Sequence, residues 1–65
     1  MKTISENIKF YRKQRGYSQT ALAKKLCVTP QAVSRWENGH TMPDVYTLAK
    51  LAQVLKVEMA ELVNQ

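Results

Sequence analysis

Residues 18–39 read SQTALAKKLCVTPQAVSRWENG, and this stretch decides the fold. Ser18 can cap the N-terminus of a helix, because its hydroxyl can accept a hydrogen bond from a free backbone amide. Thr29 followed by Pro30 is a second start signal, since proline is preorganised for the first position of a helix. Gly39 is suited to end that second helix, because glycine readily adopts a positive φ. The stretch therefore predicts two short helices joined by a tight turn.

The apolar residues of this stretch recur at helical spacing and form one inward face. They are Leu22, Ala23, Leu26, Val28, Val33 and Trp36. Ala23 is small enough to let the two helices cross closely, while the larger side chains fix the crossing angle. The first helix of the pair is expected to end near Cys27, and the second to run from Pro30 to about Asn38.

Similar patterns outside the stretch predict three more helices. The first spans residues 5–15 and ends before Gly16, the fourth follows an Asp44 N-cap, and a short fifth covers residues 58–63. Their inward residues are Ile4, Ile8 and Tyr11, then Val45, Leu48, Leu51, Ala52 and Leu55, and finally Met59, Leu62 and Val63. The sequence has no strand alternation, and a chain of 65 residues has room for one small core. We therefore expect a compact all-α domain of five helices over residues 1–65.

The charge of the chain is positive and unevenly distributed. The formal net charge is +5, with +7 in residues 1–35 and −2 in residues 36–65. A basic surface on a small protein favours a nucleic acid or an anionic membrane as its partner. No apolar run approaches the roughly 18 residues of a membrane span, no signal peptide is evident, and the lone Cys27 cannot form an internal disulfide. We therefore expect a cytoplasmic protein whose N-terminal half faces an anionic partner.

The sequence offers little for catalysis or metal binding. It contains one histidine, one cysteine and two glycines, so neither a ligand cluster nor a phosphate-binding glycine loop can be assembled. A pairing of nucleophile and base is equally lacking. We expect no enzyme activity, no cofactor, no metal and no small-molecule site.

The second helix of the pair has a polar face opposite its apolar stripe. Gln31, Ser34, Arg35 and Asn38 recur at i, i+3, i+4 and i+7, and all four can form hydrogen bonds. On most helices such a stripe is only the solvated face. After a short helix and a tight turn, it is also typical of a DNA-binding helix-turn-helix, whose second helix enters the major groove. Arg35 can then bind guanine, Gln31 can bind adenine, and Ser34 can contact several bases or a phosphate.

The run from Gln19 to Gly39 resembles the helix-turn-helix of Cro and the phage repressors, also called the xenobiotic-response-element family. Arg12 before this run and Met-Pro-Asp at residues 42–44 also match, so the resemblance covers nearly the whole chain. The stretch Gln-Ala-Val-Ser-Arg-Trp-Glu is similar to that of many small regulators of Gram-positive bacteria and their mobile elements. The resemblance implies a lambda-repressor-like fold with the helix-turn-helix at helices two and three.

The resemblance also implies roles for single residues. It implies that Gln19 and Asn38 hold DNA phosphates. It implies further that Arg12 and Glu37 form a largely buried ion pair between helices one and three, whose main role is structural. Trp36 can be imagined stacking on a base, but its spacing from the other apolar residues favours the core. Three weaker candidates for backbone contacts are Thr29, His40 and Tyr46.

Two residues depart from the family pattern, which commonly has glycine at both positions. Cys27 stands in the turn, where the backbone often adopts a positive φ, and Lys56 stands before helix five. Each departure predicts modest local strain. The Cys27 thiol is either inert or a redox sensor, and a tight turn favours the inert thiol. Pro30 has no donor and can offer DNA only an apolar contact.

The family implies a sequence-specific transcriptional regulator, most often a repressor, that binds a palindromic operator as a homodimer. A single small module contacts too few base pairs for useful specificity, which favours paired half-sites. Met59, Leu62 and Val63 either form the dimer seam or only cap the core. The alternative function is a protein-interaction or antitoxin-type module for which DNA binding is secondary. The chain is either a complete regulator or the DNA-binding part of a longer one.

Overall fold

Residues 3–63 are described by the computed structural model, and they form five α-helices. These are α1 (Ile4–Gln14), α2 (Gln19–Leu26), α3 (Pro30–Glu37), α4 (Val45–Leu55) and α5 (Met59–Val63). Within this described range no residue belongs to a strand. The predicted all-α architecture of five helices is confirmed, and the predicted helix ends lie within one residue of the observed ends.

Side-chain caps explain where four of the helices begin. The side chains of Ser18, Thr29 and Asp44 each accept a hydrogen bond from the backbone N–H three residues further on, at 2.8–3.2 Å. These three caps were expected from the sequence. Thr3, which the sequence analysis did not identify, forms a capping box with Glu6 at the start of α1. Each cap satisfies backbone donors that have no partner inside the helix.

The core collects side chains from all five helices. Its buried apolar members are Ile8, Leu22, Ala23, Leu26, Val33, Trp36, Leu51, Ala52, Leu55 and Leu62. Ala23 is 1% exposed, so its small side chain lies inside the core where α2 packs on α3. Trp36 is 7% exposed, which agrees with the core position that its spacing predicts. The core therefore holds the inner faces of α2 and α3 rigidly together.

One expectation about the edge of the core is wrong, and one open alternative falls on the side of the core. Leu62, which the sequence offered either for a dimer seam or for the core, is fully buried because α5 packs on α1 and α4. The Nδ2 of Asn7 also donates to the Leu62 carbonyl at 3.0 Å, which fixes α5 against α1. Val45, expected to face inward, is 72% exposed because it is the first residue of α4 and precedes the buried part of that helix. Of the other seam candidates, Met59 is half-buried against the core and Val63 is 42% exposed.

The two expected sites of strain are both present. Cys27 and Lys56 adopt the left-handed conformation, with φ of 60° and 58°, and they are the C-caps of α2 and α4. This conformation costs a non-glycine residue roughly 1–2 kcal/mol. At Cys27 it reverses the chain so sharply that only residues 27–29 separate α2 from α3. This short connection fixes the direction of α3 relative to α2.

The Asp44 cap predicts a loss of stability in acid. Hydrogen bonds from the backbone and side chain of Thr47 lower the pKa of the Asp44 carboxyl below its usual value of 3.8. Because the folded pKa is depressed, the contribution of the ionised cap is complete above the unfolded pKa and is lost as the pH falls through the folded pKa. Asp44→Asn keeps a capping oxygen but does not titrate. In urea unfolding between about pH 6 and about pH 2, the stability advantage of the wild type over this variant should shrink towards acid. An advantage that stays constant across this range would contradict the assignment.

Candidate nucleic-acid interface

The eight-residue helix α3 has one buried face and one polar, accessible face. Val33 is fully buried and Trp36 nearly so, while Gln31 and Arg35 are exposed. Neither of these two polar side chains forms a hydrogen bond with another residue in the range 3–63. Ser34 lies beside them and is half-buried. The three residues predicted to contact bases therefore lie together, and the donors and acceptors of Gln31 and Arg35 are available to a ligand.

The residues that follow α3 are hydrogen-bonded to its last turn. The Nδ2 of Asn38 donates to the Oγ of Ser34 at 3.3 Å. Gly39 adopts φ of +77°, and the backbone N–H of His40 then donates to the carbonyl of Arg35 at 2.9 Å. Asn38 and His40 are both exposed, so this end presents polar groups next to the accessible face of α3.

A buried ion pair fixes α3 against α1. The Nε of Arg12 lies 2.5 Å from Oε2 of Glu37, and Nη2 of the same guanidinium donates to Oε1 at 3.0 Å. The two side chains are 9% and 2% exposed. The third nitrogen, Nη1, donates to the carbonyl of Tyr17 at 2.8 Å. The ion pair that the resemblance implied is therefore present, and it also holds the segment between α1 and α2.

Gln19, the first residue of α2, joins this network. Its Nε2 donates to Oε1 of Glu37 at 3.0 Å, and its side chain is half-buried. The expected phosphate ligand is thus already in contact with the ion pair. No local pattern in the sequence predicts this contact, because the two residues are 18 positions apart.

The remaining predicted contacts occupy separate places. Thr29 is exposed, but its hydroxyl oxygen already accepts from the Ala32 backbone as the cap of α3. Tyr46 is 85% exposed in the first turn of α4. Gln19 and Asn38 are therefore both hydrogen-bonded to residues of α3, Glu37 and Ser34, while Tyr46 belongs to a different helix.

Arg15 has a structural role that the sequence analysis missed. Its Nε donates to the Leu55 carbonyl at 2.6 Å, and its Nη2 donates to the Lys56 carbonyl at 3.2 Å. These carbonyls lie at the C-terminal end of α4, where a cation is favoured by the helix dipole. The last turn of α4 has no basic residue of its own. This is the sequence feature that suggests a cation from another part of the chain.

The lysines of α1 and α2 are at the surface. Lys9, Lys13, Lys24 and Lys25 are all exposed, and Lys25 Nζ lies 5.6 Å from the centroid of the Tyr17 ring. Together with Arg35 they supply positive charge on the part of the chain that carries α1, α2 and α3. Such charge favours an anionic partner.

The described residues also bear on two other features, a metal centre and a membrane-spanning helix. Among residues 3–63 no group of histidine, cysteine, aspartate or glutamate side chains is arranged to hold a metal ion. In the same range no helix has the length and hydropathy needed to cross a membrane.

Comparison with known sequences adds to this geometry. A family model described as helix-turn-helix matches residues 8–62. The chain is 42% identical over 60 residues to the HTH-type transcriptional regulator SlrR of Bacillus subtilis, which is 91% of this chain and 40% of SlrR. The chain spans about half the length of the curated relatives it matches.

Comparison with solved structures identifies similar folds in two contexts. The P22 c2 repressor protein in complex with a synthetic operator superposes with a TM-score of 0.93 and 30% identity, covering 98% of this chain and 97% of that one. Hydroxypropylphosphonic acid epoxidase from S. wedmorenis gives a TM-score of 0.86 and 32% identity, covering 94% of this chain but 32% of that one. The same five-helix arrangement is therefore similar both to nearly all of a repressor chain and to part of a longer enzyme.

The ion pair predicts a large effect of Arg12→Ala on stability. This variant leaves the Glu37 carboxylate buried without its charged partner, which costs about 3–5 kcal/mol. A small domain has little more than that in total, so the variant should be largely unfolded by circular dichroism at room temperature. Lys13→Ala, on the exposed neighbour of Arg12, should change the free energy of unfolding by less than about 0.5 kcal/mol. Equal stability of the two variants would mean that the ion pair contributes nothing.

Proposed function

Because the chain belongs to the helix-turn-helix family, we propose that it binds double-stranded DNA sequence-specifically and regulates transcription as a repressor. In this proposal α3 is the recognition helix and lies in the major groove. The observation that carries it is the outer face of α3, where Gln31 and Arg35 are exposed without a side-chain partner within residues 3–63. The likeness to the P22 c2 repressor in complex with its operator supports the same mode of binding. The regulator would act in the cytoplasm of a bacterium.

The base contacts are assigned to three side chains of α3. The Arg35 guanidinium donates to guanine O6 and N7, and the Gln31 amide pairs with adenine N6 and N7. Ser34 adds a hydroxyl that already accepts from Asn38, so its own O–H is the group offered to an acceptor on a base or phosphate. Sequence preference therefore depends mainly on Gln31 and Arg35.

The phosphate contacts are assigned to residues around that face. The side-chain amides of Gln19 and Asn38 donate to phosphates of the DNA backbone on either side of α3. Thr29, His40 and Tyr46 are the remaining backbone contacts in this proposal, and all three are exposed. These contacts position α3 in the groove but do not distinguish one base pair from another.

A homodimer on a palindromic operator completes the proposal. An eight-residue recognition helix is about 12 Å long and reaches few base pairs. Two copies on half-sites one helical turn apart double the number of bases contacted. With Leu62 in the core, the seam is assigned to Val63 and the half-buried Met59 on α5.

The dimer predicts the symmetry of the preferred DNA. Selection of bound duplexes from a random pool should recover two inverted copies of one half-site, with centres about 10 base pairs apart. Recovery of a single unrepeated half-site would contradict the homodimer but not DNA binding. A pool without any enrichment would overturn the proposed function and favour a module whose main partner is a protein.

Arg35→Ala tests the recognition helix itself. Loss of a bidentate contact to guanine should lower affinity for the selected duplex by about 10- to 100-fold and relax the preference at one G·C pair. Lys50→Ala is the matched control, because Lys50 is exposed on α4 and has no assigned contact. Fluorescence anisotropy gives both affinities, and circular dichroism verifies that both variants are folded. Unchanged affinity of a folded Arg35→Ala variant would favour the protein-interaction alternative.

A further inference from the structure

Gln19 lies between the buried ion pair and the position assigned to a DNA phosphate. We propose that Glu37 is a positioning residue, which orients the Gln19 amide so that one of its N–H groups is presented to the phosphate. The Arg12–Glu37 pair then has two functions, because it joins α1 to α3 and also sets the geometry of a DNA contact. This inference rests on the proposed function.

The orientation of the amide follows from what each atom can donate or accept. Both oxygens of the Glu37 carboxylate are acceptors, and each already receives an Arg12 nitrogen. Only the amino end of the Gln19 amide can therefore face Oε1, where Nε2 is found at 3.0 Å. This pairing assigns Nε2 and Oε1 of Gln19, which are otherwise hard to distinguish. The amide is held in one of its two possible orientations.

The held amide keeps one donor for DNA. An NH₂ group has two hydrogens, and Glu37 accepts one of them. The second N–H remains available to an anionic oxygen, and hydrogen bonds to charged groups are stronger than neutral ones. Glu37 itself would repel a phosphate, but the guanidinium of Arg12 compensates its charge at 2.5–3.0 Å. The network therefore presents a donor to the phosphate without presenting a net negative charge.

Pre-organisation is the advantage of this arrangement. A long, mobile side chain loses rotamer freedom when it binds, which weakens the contact. The side chain of Gln19 is half-buried and bonded to a carboxylate that is 2% exposed, so most of that freedom is already lost on folding. Gln31 offers the internal comparison, because it is exposed and has no side-chain hydrogen bond within residues 3–63.

Side-chain NMR relaxation of the free protein tests the orientation directly. The Nε2H₂ group of Gln19 should have a higher order parameter than that of Gln31. In Glu37→Asp the carboxylate keeps its charge for Arg12 but is withdrawn by one methylene, so the Gln19 amide should become as mobile as that of Gln31. Equal mobility of Gln19 and Gln31 in the wild-type protein would overturn the inference without any DNA measurement.

A double-mutant cycle on the selected duplex tests the effect on binding. Glu37→Asp should lower affinity about three- to tenfold in the wild-type background and less than about twofold in the Gln19→Ala background. The control cycle replaces Gln19→Ala by Asn38→Ala, because Asn38 bonds Ser34 and not Glu37. There the loss caused by Glu37→Asp should be the same in both backgrounds. The salt dependence of binding should not change, since none of the three substitutions alters the charge of the protein.

The outcomes separate this inference from the function on which it rests. If Glu37→Asp lowers affinity as much in the Gln19→Ala background as in the Asn38→Ala background, Glu37 is only structural. The inference would then be overturned while DNA binding stands. If no duplex binds although the Gln19 amide is ordered, the proposed function fails and the inference with it. If Glu37→Asp does not fold, the wild-type relaxation measurement still decides the orientation.

Discussion

The buried contact between the Arg12 guanidinium and the Glu37 carboxylate is the interaction on which the rest of the structure depends. Both charges are removed from water, so each is tolerable only because the other is present. The same guanidinium donates to the Tyr17 carbonyl and thereby holds the connection between α1 and α2. One side chain thus joins α1, the connection to α2, and the last residue of α3. In a domain with a small core, such a contact sets the position of α3 more firmly than apolar packing alone.

The position of α3 matters because its eight residues have to serve two purposes. Val33, Trp36 and Glu37 face the interior, which leaves about half of the helix surface for a partner. Pro30 occupies the first position and has no backbone donor. The available polar face is therefore short and carries few side chains that could contact bases. This limit is the reason for proposing a homodimer, in which two such faces contact the DNA.

Local features of the sequence predict much of this fold. Contacts between residues that are far apart in the sequence are harder to predict. The caps at Ser18 and Thr29 are recognisable because the hydroxyl and the amide that it accepts from are three residues apart. Helical spacing also predicts that Leu62 faces inward, but it cannot separate the core from a dimer seam, because that choice depends on where α5 packs. Arg15 likewise bonds carbonyls 40 and 41 residues away. The Arg12–Glu37 pair was expected from the family resemblance, because a spacing of 25 residues has no local signature.

The basic residues of the N-terminal half consequently have different functions, although composition counts them alike. Arg12 is neutralised by Glu37, and Arg15 is directed at the carbonyls that end α4 next to the strained Lys56. The guanidinium groups suit these roles because a planar fork of donors can bond two acceptors at once. The lysines of α1 and α2 remain exposed, as compact charges on flexible stems do. The charge offered to a phosphate backbone therefore comes chiefly from these lysines and Arg35, so the salt dependence of binding should reflect fewer ion contacts than the formal charge of this half suggests.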